Sequence, residues 1–194
     1  MVWAVLGETT LTSSADVITV DSIAVKKHLV VQAKLLRSGN IEAAIRFNND
    51  SGNNYSTKYS VNDSESSGTN KSSIDTNLTA AGNEFATYNI FNEATKEKLV
   101  ISELVDSNTS GAGNAPQRVE VVGKWTNTSN AITRVDLINV GGGDFAAGSE
   151  VVVWGDDGTD AGQTGIPTGS IHEESDTGKH KIWNATTSTW TEIA

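Results

Sequence analysis

Apolar residues recur at every second position over several short stretches of this chain, and that period of two is its dominant pattern. "HLVVQAKLLR" places Leu29, Val31, Ala33 and Leu35 on one face, and "IEAAIRF" places Ile41, Ala43, Ile45 and Phe47 on one face with Glu42 and Arg46 opposite. Ser38, Gly39 and Asn40 supply the turn between them. "RVEVVGKW" alternates Val119, Val121, Gly123 and Trp125 against Arg118, Glu120, Val122 and Lys124, while "TRVDLI" sets Val135 and Leu137 against Arg134 and Asp136. Such strands bury one face and wet the other, the habit of antiparallel sheets. Less regular runs lie at 2–6, 17–23, 57–61, 85–90, 98–104 and 149–154. The piece that favours helix, "NEATKEK" at 92–98, is long enough for a turn or two only.

About ten short strands separated by turn residues fit a sandwich or barrel, not alternating β and α units. The expected fold is all-β: an antiparallel β-sandwich of jelly-roll type over residues 1–154. Residues 62–83, "NDSESSGTNKSSIDTNLTAAGN", hold few apolar side chains and read as a long surface excursion. Residues 155–170 are rich in Gly and lack Lys and Arg, which marks a linker. Residues 171–194 read as a C-terminal β-hairpin appendage, in which "KHKIW" and "WTEIA" flank a polar turn. Two strands this short are marginal alone in water, so Ile182, Trp183, Trp190 and Ile193 are expected to dock the hairpin on its own sandwich or on a neighbouring subunit.

Composition narrows the function classes. The chain has 194 residues, 37% of them hydrophobic and 20% charged, with a formal net charge of -10. That balance opposes nucleic-acid binding, which needs clustered Lys and Arg against the phosphates. The N-terminal "MVWAVLGETTLTSS" lacks the pattern of a secretory signal, and no run approaches the ~20 apolar residues of a spanning helix, so no membrane insertion is expected. With zero Cys there are no disulfides, thiolate nucleophiles or Cys-ligated zinc.

Candidate chemistry is sparse. His28 is far in sequence from His172 and His180, and no G-x-S-x-G elbow accompanies them, so no catalytic residues are assigned and no enzyme is expected. "DDGTD" crowds Asp156, Asp157 and Asp160 around a Gly, a calcium candidate that lacks the EF-hand frame; a solvated turn explains it without metal. The glycines of "NVGGGDF" have no following helix to bind phosphate, and a loop between strands accounts for them. Among the tryptophans, Trp3, Trp125 and Trp154 sit in or beside strand runs and are expected in the core. No cofactor is implied.

"RFNNDSGNNYS" resembles a recurrent signature, an Arg-Phe-Asn-x-Asp strand end followed by Gly-x-Asn-Tyr, of jelly-roll structural proteins of tailed bacteriophages. "WAVLGETTLTSSADVITV" is similar to the opening of such proteins, and "ITRVDLINVGGGDFAAGSEVVVWG" to their closing strands, with Phe145, Gly148, Ser149 and Gly155 matching. "DTGKHKIWNATTSTWTEIA" is similar to a C-terminal segment of phage fibre and virion-surface proteins, through Asp176, Thr177, Gly178, Trp183 and Trp190. The resemblance implies a non-enzymatic virion structural protein on the particle exterior, as a capsid decoration, head fibre or tail appendage, made in the host cytoplasm. Its implied partners are further copies of itself, a trimer first, and other virion proteins, with a host-surface glycan left open. A carbohydrate-binding β-sandwich module without catalytic activity is the alternative.

The residues of that signature also have a reading of their own. Asn and Asp side chains bond to nearby backbone and tolerate left-handed conformations, so Phe47, Asn48, Asp50, Gly52, Asn54 and Tyr55 are expected to build a rigid structural corner. Gly52 would take the least permissive backbone position. Tyr55 would fold its ring over the sandwich end with its hydroxyl in water.

Overall fold

The computed structural model describes residues 3–76, 82–107, 109–157, 169–173, 179–184, 186–187 and 189–193. In chain order the strands are β1 (Ala4–Thr10), β2 (Val17–Val20), β3 (His28–Leu35), β4 (Arg37–Ser38), β5 (Ala43–Phe47), β6 (Tyr55–Val61), β7 (Ser64–Lys71), β8 (Ile74–Asp75) and β9 (Glu84–Phe91). They continue with β10 (Lys98–Asp106), β11 (Gln117–Trp125), β12 (Val135–Asn139), β13 (Asp144–Phe145), β14 (Glu150–Asp156), β15 (Ile171–Glu173), β16 (His180–Asn184) and β17 (Thr189–Ile193). The protein is all-β, its paired strands are antiparallel, and they divide into two units, 3–157 and a C-terminal unit within 158–194.

The larger unit carries an eight-stranded sheet in the order β1-β14-β3-β9-β10-β11-β6-β7 and a four-stranded sheet in the order β2-β12-β5-β8. Alternate residues of both enter one buried apolar cluster: Val31, Tyr88, Val100 and Val121 from the first, Ile18, Ile45 and Leu137 from the second. The period of two thus becomes a core between sheets, with β9 and β10 alternating buried and exposed along almost their whole length. β4 pairs with β13, which brings Arg37 opposite Phe145. At Gly155, where β14 lies between β1 and β3, an added Cβ would meet Leu6 and Lys26 within 2.8 Å, so close backbone approach accounts for the glycine.

Several expectations change. The 62–83 excursion is largely strand: β7 pairs with β6, and Ile74 and Asp75 of β8 are buried beside β5. β7 is polar because it is the exposed edge of the large sheet, where neither face demands apolar residues; residues 77–81 lie outside the described ones. Residues 92–97 hold a turn and no helix, and Lys98 already opens β10. Asp136 is not on a wet face: β12 is buried at four of its five positions, and Asp136 accepts hydrogen bonds from Arg134 and Thr19. Among the three tryptophans expected inside, Trp125 is buried, whereas Trp3 is exposed and Trp154 half-buried, because both point to the outer face of the large sheet.

In the C-terminal unit, β16 and β17 pair as expected, but β15 joins them to make a three-stranded sheet. The four residues expected to form its apolar side divide between two faces. Trp183 stands directly opposite Trp190, while Ile182 shares the other face with Ile171 and, across the His180 pairing, Ile193. The reason is parity: Ile182 and Trp183 are adjacent in one strand and therefore point opposite ways. β14 runs through Asp156, so Gly155 and Asp156 are strand residues, and 158–168 of the expected linker lie outside the described residues.

Candidate functional site

A dense polar network outside the sheets forms the corner that joins β5 to β6. β5 ends at Phe47, and Asn48 and Asn49 both take left-handed backbone conformations, with φ of 51° and 55°. Asn is one of the few residues that enters this region readily. Asn48 then bonds the neighbouring segment on two sides: its Nδ2 donates to the Ala131 carbonyl at 2.8 Å, and its Oδ1 accepts from the Thr133 and Arg134 amides at 2.9 and 3.1 Å.

Asp50 is the second anchor. Its carboxylate accepts from the Gly52 amide at 2.9 Å, from Asn54 Nδ2 at 2.9 Å and from the indole Nε1 of Trp125 at 2.7 Å. Partial burial by itself would raise the Asp50 carboxyl, and the hydrogen bonds from Trp125, Asn54 and Gly52 outweigh it and hold the group below the usual carboxylate range. Gly52 is needed for space and not for a left-handed conformation: a Cβ there would lie 2.8 Å from Asn54 Nδ2 and 3.1 Å from Asp50 Oδ1. Tyr55 differs from expectation as well. Its hydroxyl is buried, accepts from the Phe47 amide at 3.0 Å and donates to the Phe47 carbonyl at 3.3 Å. Burial pushes its pKa well up. The rings of Phe47, Tyr55 and Trp125 lie 5.9–6.3 Å apart, with Tyr55 stacked on Trp125.

Lys98 closes the same end. It is fully buried, and its Nζ donates to the carbonyls of Ala94, Lys96 and Asn127 at 3.1, 2.9 and 2.7 Å, 5.5 Å from the centroid of the Trp125 ring. Desolvation by burial holds its pKa below the ordinary lysine value. The ammonium ties three main-chain acceptors that have left the sheet, a task for which its three donors are suited.

A second buried charge cluster joins Arg37 of β4 to Glu84 at the start of β9 and Asp106 at the end of β10. Arg37 Nη2 bonds Glu84 Oε2, lies 3.9 Å from Asp106 Oδ2, and Nη1 donates to the Ile41 carbonyl at 2.9 Å. Burial pushes the Glu84 carboxyl up to about 7, an effect that the Arg37 guanidinium opposes without cancelling and that Asp106 reinforces. Tyr88, two turns of the pleat along β9, buries a hydroxyl that makes no hydrogen bond among the described residues.

The remaining candidates are scattered. Asp157 is engaged by Lys26 at 2.7 Å, Asp156 is buried at the end of β14, and Asp160 lies outside the described residues; no group of three metal-ligating side chains occurs among the described residues. His28 lies against Phe91 on the large sheet, whereas His172 packs on Trp190 in the C-terminal unit and His180 stands 3.8 Å from Glu173. Trp183 is buried and its ring lies 5.3 Å from that of Trp190.

The alternation of the chain contained a signal for the groups that sequence reasoning missed. Glu84 is in phase with Ala86, Tyr88 and Ile90, and Lys98 and Asp106 are in phase with Val100 and Leu104, so each charge occupies an inward position. A charge on an apolar stripe marks a buried partner. Comparison with family models, curated proteins and solved structures finds no match to this chain.

Proposed function

We propose that the chain is a non-enzymatic structural protein of a virion, with a jelly-roll domain carried on the particle exterior as a capsid decoration, head fibre or tail appendage. The reading rests on the resemblance to phage structural proteins. The observation that supports it best is the corner: Asn48, Asp50, Asn54 and Tyr55 of the signature all spend their polar groups on the fold itself. A motif of that kind preserves a shape that many copies can share, and no catalytic task is needed to explain it. The acidic net charge of -10 suits copies packed at high local density, since it keeps them apart in solution.

On this reading the chain is a homo-oligomer, a trimer first, and associates with other virion proteins. The C-terminal unit supplies the docking element through Ile182, Trp183, Trp190 and Ile193, with the two tryptophans on one face and the isoleucines on the other. Purified particles should contain the chain at a fixed copy number by mass spectrometry, with antibody label on their surface in electron micrographs. Particles without the chain would sink the reading. Removal of residues 171–194 should leave a folded 3–157 unit that assembles poorly; a truncated chain that assembles as well as the intact one would remove the docking role.

One observation favours the carbohydrate-binding alternative. Trp3 and Trp154, with Val30 and Gln32, line a shallow groove on the outer face of the large sheet, so that indole surface and an amide are presented together. A glycan array separates the two readings: binding that disappears in Trp3→Ala supports the module, and an array without hits supports the scaffold.

A further inference from the structure

A sheet that buries one face normally turns polar residues to water on the other. The outer face of β9, β10 and β11 mixes large apolar side chains with its polar ones. Phe85, Leu99, Ile101, Val105 and Val122 each leave between 41% and 60% of their surface exposed. The pairing register gathers them: Val105 stands opposite Phe85, and Ile101 opposite Val122. Between these two apolar pairs runs a single row in which Glu103 of β10 faces Glu120 of β11, with Thr87 of β9 on the other side of Glu103.

Like charges directly opposite each other in a sheet are unfavourable. The surrounding cations relieve this pair at Glu120 alone, and Arg118, which does so, is shared with Asp63. Arg118 lies 3.8 Å from Glu120 through Nε but holds Asp63 at 2.5 Å; Lys124 is taken by Glu97 at 2.9 Å and Lys58 by Glu65 at 3.0 Å. Glu103 has no cation within salt-bridge distance among the described residues. The grooves on either side have Glu103 and Glu120 in their walls; Arg118 also lines the one beside Phe85 and Val105, and the ion-paired Lys58 and Glu65 the one beside Ile101 and Val122.

We propose that this face is a docking surface for a segment of another protein that presents a Lys or Arg flanked on both sides by apolar side chains. The cation sits over Glu103 and Glu120, and its neighbours cover Ile101 and Val122 on one side and Phe85 and Val105 on the other. Charge complementarity selects the occupant. A second copy related by a two-fold axis at this row would press four carboxylates together, whose shared desolvation is costly. The inference uses only the sheet face and holds whether or not the chain belongs to a virion.

The probe is a random-peptide display library panned on the full-length chain, with enriched peptides synthesised and their affinities measured by calorimetry at low and high salt. Enriched sequences should carry a basic residue between apolar ones. Their affinity should fall at least ~tenfold for the double variant Glu103→Gln, Glu120→Gln, fall similarly for Ile101→Ser, and weaken with salt. All three positions are exposed, and circular dichroism with urea denaturation certifies that the variants fold. Peptides without a basic residue, affinities indifferent to the glutamates, or a library that yields no binder would overturn the proposal. Self-association seen by sedimentation and abolished by Ile101→Lys would overturn it in favour of a second copy.

Discussion

Tyr55 holds Phe47 by both polar groups of the same residue: one hydroxyl accepts from its amide at 3.0 Å and donates to its carbonyl at 3.3 Å. Phe47 is the last residue of β5, where the chain turns away into the left-handed pair Asn48 and Asn49. The hydroxyl therefore satisfies backbone at the point where the sheet ladder ends, in a site closed to water. Tyr55→Phe keeps the ring and removes this bridge. It should cost about 1–3 kcal/mol, since it strands the buried Phe47 amide, while the Phe47 carbonyl keeps the Asp50 amide at 2.9 Å. Urea denaturation reads the loss, and an unchanged midpoint would show that the bridge contributes nothing.

Asp50 makes the stability of the corner depend on acid. Its folded pKa lies below the unfolded value, so its contribution is present above the unfolded pKa and is lost as pH falls through the folded one. With an unfolded carboxyl near ~3.9, the loss belongs below about pH 4. Asp50→Ala should be less stable than the parent at neutral pH and should lose less on acidification. A parent and variant whose stabilities fall in parallel between neutral pH and about pH 3 would refute this linkage.

Glu84 works in the opposite sense. Its folded pKa of about 7 is raised above the unfolded value, so its contribution is fully present below the unfolded pKa and is lost as pH rises through the folded one. Stability of the parent should decline from mildly acidic pH toward pH 8, and Glu84→Gln should flatten that decline whatever it does to stability overall. The groups that face Glu84 are Arg37, Asp106 and Tyr88, of which the first opposes the shift and the second reinforces it. Equal slopes in parent and variant would exclude Glu84 as the origin of the pH dependence.

Lys98→Met tests the tie between three carbonyls. Methionine fills much of the same volume and keeps the contact with Trp125, but it leaves the acceptors of Ala94, Lys96 and Asn127 unpaired. A loss of about 2–4 kcal/mol is expected, more than for an exposed lysine and comparable to the removal of a buried hydrogen-bonded charge. A change within ~0.5 kcal/mol, typical of surface sites, would mean that water replaces the ammonium.

Much of this protein was legible in its pattern of apolar and polar residues. Val31 through Leu35, Ala43 through Phe47 and Val119 through Trp125 became strands whose alternate residues Val31, Ala33, Leu35, Ala43, Ile45, Phe47, Val119, Val121 and Trp125 are buried as their parity assigned, because side-chain parity is a local property of an extended chain. The Asn- and Asp-rich corner was legible for the same reason, since those side chains bond backbone a few residues away. What lay beyond local sequence was decided by pairing between distant strands. Trp125 reaches Asp50 across 75 positions, and Arg37 meets Glu84 across 47, so neither bond leaves a spacing to read. β7 carries no apolar stripe, and only its place at the edge of the large sheet makes it a strand. Whether an outward Ile101 or Trp154 is covered or bare is likewise set by which strands lie beside it, because alternation divides residues between two faces and says nothing of what each face meets.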